Sequence, residues 1–178
     1  TYTAGPPPPN PTKIYSQGTI SGAGVYIINV WPTSSNSPYA EQAPNAFDNN
    51  VNTKYLNFDK YNAGVTIQLN SGRVVTGFTL TTANDYSGRD PTSYRLYGSN
   101  DGVTWVLVQA GNLALPDTRY TESGVISVTN TSAYAYYYIM FPSTKAGDGC
   151  GQDCNSMQIG GIQFIYDSNS TVTSTATC

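Results

Sequence analysis

The feature that most constrains this chain is a succession of short runs in which apolar and polar residues alternate, each bounded by turn residues. The clearest is SYRLYGS at residues 93–99, then a turn at Asn100-Asp101-Gly102, then TWVLVQ at residues 104–109. An Asp-Gly pair between two such runs is a strong hairpin signal, because both central positions accept positive φ. GVTIQL at residues 64–69 alternates, turns at Asn70-Ser71-Gly72 and returns as VVTGFTLTT at residues 74–82. Further strands are predicted at residues 25–30, 124–128, 135–141 and 157–166. No stretch keeps a helical period over about a dozen residues. About eight strands at this spacing predict an all-β chain, an antiparallel β-sandwich of jelly-roll form. In YAYYYIMF at residues 134–141, Tyr136, Tyr138 and Met140 share one strand face and Tyr137, Ile139 and Phe141 the other.

The ends differ from this middle. Ala4-Gly5-Pro6-Pro7-Pro8-Pro9-Asn10-Pro11 is excluded from helix and central strand, since proline lacks the N–H and fixes φ. Consecutive prolines favour an extended polyproline II rod, which either spaces domains or docks on a neighbouring subunit. The predicted division is a Pro-rich linker or rod at 1–13, a sandwich at 14–167 and a Ser/Thr-rich tail at 168–178.

Composition narrows the function. Charged residues make up 11% of the 178, against roughly 25% in ordinary soluble domains, so the polar surface is built from Ser, Thr, Asn, Gln and Tyr. The 15 Tyr outnumber 5 Phe and 2 Trp, and a Tyr ring can be half buried with its hydroxyl wet. Such a surface suits sugars or another copy of itself. A net charge of −3, with 8 scattered Lys and Arg, argues against nucleic acid. No apolar run approaches the roughly 20 residues a spanning helix needs, so membrane insertion is not expected. The chain has no histidine, which excludes Ser-His-Asp and Cys-His arrangements and His-based metal catalysis. Loop carboxylates such as Asp85 and Asp90 read as turn formers in preference to a glycosidase pair. The chain is therefore read as non-catalytic.

It begins at Thr1, which leaves no targeting segment to read. Sequons at Asn130-Thr131-Ser132 and Asn169-Ser170-Thr171, the composition of the two ends and the cysteines together predict an extracellular or cell-surface setting. Cys150 and Cys154 lie in a Gly-rich loop, where a disulfide would add local rigidity. Cys178 is left to bridge to another chain or to residues beyond it. Three cysteines without histidine leave a zinc site unfilled.

Two stretches carry a resemblance. Asn45-Ala46-Phe47-Asp48-Asn49-Asn50-Val51-Asn52-Thr53-Lys54-Tyr55 resembles the A-x-D-G-N-x-x-T-x-W segment of the discoidin-like, coagulation-factor C-terminal domain superfamily and of related carbohydrate-binding modules. Residues 81–94, running into Tyr97-Gly98-Ser99-Asn100-Asp101-Gly102-Val103-Thr104-Trp105, are similar to that superfamily's strand, loop and S-x-D-G-x-x-W hairpin, and residues 158–164 to its closing strand. The resemblance spans residues 14–166 and implies the galactose-binding-domain-like fold.

It also implies sites. Relatives often hold a structural calcium, for which Asp48 would give a carboxylate, Thr53 a hydroxyl and carbonyl, and Ala46 or Asn50 backbone oxygens. The closing-strand Glu that usually completes that set is replaced here by Gly161, and the alternative is that Asp48 and Asn50 cap a turn. In the carbohydrate-binding relatives sugars meet loops at one end of the sandwich. The counterpart here is Asn84, Asp85, Tyr86 and Arg89, with Arg89 forking donors onto hydroxyls and Tyr86 stacking on a pyranose. The alternative is that Arg89 fixes its loop by pairing with Asp90 or Asp59. Trp31, Tyr39 and Tyr61 are further loop aromatics, and Trp105 is expected in the core. Two functions compete: a non-catalytic glycan-binding or adhesion module, and a structural subunit of an extracellular polymer, filament or appendage held by the Pro-rich arm and Cys178.

Overall fold

The structure is a computed structural model that describes residues 11–16 and 24–167. The first strands are β1 (Pro11–Ser16), β2 (Tyr26–Pro32), β3 (Tyr55–Asn57), β4 (Ala63–Arg73) and β5 (Val75–Thr81). They are followed by β6 (Ser93–Ser99), β7 (Val106–Asn112), β8 (Ile126–Ser127), β9 (Tyr134–Phe141), β10 (Met157–Ile159) and β11 (Gly161–Asp167). Short 3-10 turns at Ala43–Phe47, Ser87–Arg89 and Gly151–Cys154 are the helical part of the described residues. None of their helices is long and apolar enough to cross a membrane.

The main strands run in the order β7-β6-β9-β4-β2-β1-β11-β5-β8. β1 is the seam: it pairs antiparallel with β11 from Pro11 to Ile14, then parallel with β2 at Tyr15 and Ser16. The sheet doubles over there into two layers, β2, β4, β9, β6 and β7 against β11, β5 and β8. This is the expected all-β jelly-roll sandwich, antiparallel except at the β1–β2 contact. Alternation places Tyr137, Ile139 and Phe141 of β9, Val65 and Ile67 of β4, Phe78 and Leu80 of β5 and Ile162 and Phe164 of β11 in the space between. Phe164 meets the rings of Phe47, Phe78 and Tyr137 at 6.2, 6.3 and 6.1 Å. Burying a ring of that size contributes about 1.5–3 kcal/mol.

Several expectations are corrected. Residues 64–69 and 74–82 do not form a hairpin: β4 continues to Arg73 and pairs with β2 and β9, whereas β5 pairs with β11 and β8. The chain changes layers at Val74. The corner is fixed by the buried Tyr137 hydroxyl, which donates to the Arg73 carbonyl (2.6 Å) and accepts from the Val75 N–H (3.1 Å). The strand expected at residues 157–166 breaks at Gly160, where a Cβ would lie 2.7 Å from the Thr82 carbonyl oxygen. Its first part, β10, leaves the main sheet to pair with β3. β1 starts at Pro11, three residues before the expected boundary at 14, since a proline is tolerated as the first residue of a strand. Trp31 lies in β2 and not in a loop. Trp105 is half-buried outside the core, edge-on to Tyr138 at 5.9 Å, because the hairpin tip turns it onto the outer face of the sheet.

The strand directions gather four connections at one end: residues 33–62, 82–92, 113–125 and 142–160. That end contains the three 3-10 turns and the β3–β10 pair.

Candidate functional site

At the loop-bearing end, residues 84–89 form the turn between β5 and β6. Tyr86 is held at φ +29°, a left-handed backbone that costs energy for any residue but glycine. Neighbouring elements hold it there. The Gln158 amide, carried by β10, donates to the carbonyls of Asp85 (2.5 Å) and Tyr86 (3.2 Å). Lys54, buried just before β3, places its ammonium 2.9 Å from Asp85 Oδ1 and 3.0 Å from Gln158 Oε1, with Glu41 at 3.7 Å. Gly88 lets this turn close on the next loop, since a Cβ there would lie 2.6 Å from Ala146 Cβ and 2.7 Å from the Asp153 carbonyl oxygen.

Arg89 is 8% exposed. Its Nε and Nη2 both donate to the Gln152 carbonyl, at 3.0 and 2.7 Å, and Nη1 lies 3.7 Å from Asp85 Oδ1. The guanidinium sits 4.3 Å from the Tyr86 ring centroid, and Tyr86 remains 43% exposed. The fork is thus spent inside the protein, on partners other than Asp90 or Asp59. Asp90, fully buried, takes Arg119 Nη1 at 3.0 Å on Oδ1 and Lys145 at 3.3 Å on Oδ2. Its hydrogen bond raises the Arg119 pKa. Asp59 accepts from the Ser34 hydroxyl and from Asn36 Nδ2 (2.7 Å), and these bonds lower its pKa.

Gln152 belongs to the loop closed by the Cys150–Cys154 disulfide, whose Cα atoms are 5.5 Å apart. Lys60 donates to the Gly147 carbonyl (2.6 Å), and the Tyr61 hydroxyl donates to Asp148 (2.6 Å), lowering the Asp148 pKa. The loop is therefore pinned on its N-terminal side by Lys60 and Tyr61 and within it by Arg89. What the 84–89 turn presents to solvent is the Tyr86 ring, the exposed Asn84 amide and Asp85 Oδ2, which has no hydrogen-bond partner among the described residues. Tyr61 is 39% exposed and Tyr39 98%. Sequence reading brought Asn84, Asp85, Tyr86 and Arg89 together but missed Lys54, Gln152 and Gln158. Lys54 stood inside the quoted motif, one residue before a buried strand. Gln158 stood inside an apolar run, and both are positions where a polar residue needs a partner.

The Asp48 loop forms a closed set of hydrogen bonds. Asp48 Oδ1 accepts from the Asn50 N–H (2.9 Å) and Oδ2 from the Thr53 hydroxyl (2.6 Å), which also lies 2.9 Å from the Asn50 carbonyl. Calcium takes six to eight oxygens, usually including several carboxylates. Here the carboxylate of Asp48 is already used in capping a turn, the Ala46 carbonyl lies 3.9 Å from where a Cβ on Gly161 would stand, and no side chain extends from that position. The donor set does not fit calcium as it stands.

Asn130 turns inward. Its Nδ2, the atom a glycan would occupy, donates to the Val75 carbonyl (3.2 Å) and the Tyr137 hydroxyl (3.3 Å), bracing the β4–β5 corner. Asn169 and Cys178 lie outside the described residues.

Three solved structures show what the fold is similar to. A CBM32 module from Clostridium perfringens, in complex with GalNAc-β-1,3-galactose, superposes with a TM-score of 0.58 at 15% identity, covering 77% of this chain and 94% of that one. The family 32 carbohydrate-binding module of Clostridium perfringens NanJ, in complex with galactose, gives 0.56 at 16% identity, covering 76% and 93%. The family 32 module of Streptococcus pneumoniae EndoD gives 0.56 at 13% identity, covering 79% and 94%. No curated protein matches the sequence itself. The F5/8 type C domain matches residues 30–148 continuously, from β2 through the whole of the Tyr86 turn to the disulfide loop, and this chain belongs to that family.

Proposed function

We propose that this domain is a non-catalytic glycan-binding module that works outside the cell, with its sugar site on the Tyr86 turn. One observation carries the reading: a half-exposed tyrosine held in a left-handed backbone by a buried lysine, a buried arginine and a buried glutamine. Strain of about 1–3 kcal/mol persists only where the surroundings over-determine it, and such positions concentrate at ligand contacts. An aromatic ring with an amide and a carboxylate oxygen beside it matches a pyranose, which offers an apolar C–H face and a rim of hydroxyls. The protein pre-organises these groups, so little ordering cost is left for binding. Similar modules solved with galactose and with GalNAc-β-1,3-galactose support the sugar class. The disulfide supports an oxidising compartment.

One shallow platform predicts affinity on the order of 1 mM for a monosaccharide. Titration of the full chain with galactose, GalNAc and a galactose-terminated disaccharide, followed by NMR, tests this. Tyr86→Ala is expected to weaken binding at least about tenfold with the melting temperature nearly unchanged. Undiminished binding by that variant, or no response to any glycan of an array, overturns the site.

A further inference from the structure

A second feature lies on the outer face of the five-stranded layer, away from the Tyr86 turn. The alternation that buries Tyr137, Ile139 and Phe141 turns Tyr136 and Tyr138 outward. Trp31 of β2 stacks on Tyr136 at 6.3 Å, Tyr97 of β6 stacks on Tyr138 at 5.5 Å, and Trp105 meets Tyr138 edge-on at 5.9 Å. The tip of the β6–β7 hairpin folds over this face, so that a Cβ on Gly102 would lie 3.2 Å from the Tyr136 ring. Between the tip and Trp31 runs an open groove of about 430 Å³, lined by Trp31, Thr66, Asp101, Gly102, Trp105 and Tyr136. Trp31 is 44% exposed. The indole N–H groups of Trp31 and Trp105 and the hydroxyl of Tyr136 have no hydrogen-bond partner among the described residues.

Such a surface has a particular complement. A polyproline II segment presents flat pyrrolidine rings that pack on aromatic faces, and carbonyls that accept hydrogen bonds, with no N–H of its own to satisfy. Aromatic rings with unengaged donors between them supply what it lacks. The chain itself contains a run of four prolines, 6–9, the composition that favours this conformation. Four residues in polyproline II span about 12 Å at roughly 3.1 Å per residue. The groove crosses from β2 over β4 and β9 to β6, three strand spacings in the sheet order, or about 14 Å. Placement favours a neighbour's groove over the chain's own. Pro11 pairs with Asp167 in the other layer, whereas Trp31 stands on the outer face of the five-stranded layer.

We propose that this groove is a polyproline-binding site and that its occupant is the run of prolines 6–9 from a second copy of this chain. The contact is heterologous, arm to groove, so each bound copy keeps one free arm or groove and assembly extends into a chain of subunits, or into a ring where the rotation closes. It is independent of the sugar site.

Both tryptophans of the protein line the groove, so intrinsic fluorescence reports on it alone. The test uses the full chain. A synthetic peptide of residues 1–11 is expected to shift the emission saturably, and Trp31→Ala, which alters an exposed side chain, is expected to weaken that response at least tenfold. In sedimentation the unaltered chain should show concentration-dependent growth beyond a dimer. A Pro7→Ser/Pro8→Ser variant alone and Trp31→Ala alone should each stay monomeric, while an equimolar mixture of the two forms a dimer that grows no further. Galactose and Tyr86→Ala should leave all of this unchanged, which separates it from the sugar site. A monomeric full chain at millimolar concentration, or a mixture that stays monomeric, overturns the proposal. So does an emission change produced by oligosaccharides and not by the peptide, which would assign the groove to sugars.

Discussion

Replacing Arg89 by alanine separates a scaffold arginine from a ligand-binding one. The side chain is almost wholly buried, and its Nε and Nη2 converge on one carbonyl, that of Gln152. A hydrogen bond from a charged group contributes about 1.5–3 kcal/mol, and two on the same acceptor count for little more than one strong bond. Gln152 is exposed, so water replaces part of what is lost. The guanidinium over the Tyr86 ring adds about 0.5–1 kcal/mol. Asp85 keeps Lys54 and is not orphaned. The expected loss is about 2–4 kcal/mol, or roughly 5–15 °C in melting temperature for a domain of this size. Calorimetry measures the shift, and limited proteolysis should show new cleavage within residues 147–154. Sugar affinity should fall as well, through loss of order at Tyr86. A variant that melts within about 2 °C of the parent, yet no longer binds sugar, would refute the scaffold role and place Arg89 in direct contact with the ligand.

Alkaline pH should destabilise the fold through two buried phenols. Burial pushes Tyr55 and Tyr137 up to about 12. Below pH 10 both states keep these protons, whereas between about 10 and 12 only the unfolded chain releases them, so stability falls with rising pH by about 2.7 kcal/mol for each. Absorbance at 295 nm should show most of the 15 tyrosines titrating first and a late group following; one transition near pH 10 contradicts this. Calcium at millimolar concentration should leave the melting temperature within about 1 °C. Gly161→Glu, whose Cβ meets nothing closer than 3.5 Å, should make melting calcium-dependent, by about 2.7 kcal/mol at a hundredfold excess over Kd. A clear calcium response by the unaltered chain counts against the poor fit of the Asp48 loop.

Most of the sandwich was legible because period-two alternation is a local property: β6, β7, β9 and the two faces of Tyr136 and Tyr137 follow from it directly. The β4–β5 corner was not, since a chain that turns back beside itself and one that crosses to the opposite layer have the same alternation. The Tyr137 hydroxyl decides between them from 62 residues away. β3 was missed because three residues carry no period. At the site, the Tyr86 turn was found by resemblance, but the role of Arg89 depended on Gln152, a backbone carbonyl that has no signature in a sequence. Trp105 follows a hairpin, where a sequence shows no difference between a core and a surface ring, and the folding of the hairpin tip places it on a surface.

The pairing of Pro11 with Asp167 has a mechanical consequence. The strands on which the domain begins and ends lie side by side and antiparallel, so tension applied through the two flanking segments pulls them apart at the same end. The load falls first on Pro11 and Asp167, then on Thr12 and Tyr166, then on Lys13 and Ile165, one rung after another. A domain loaded this way unzips at low force instead of shearing all its rungs together. In a tethered array it would act as a compliant link that lengthens before its neighbours break.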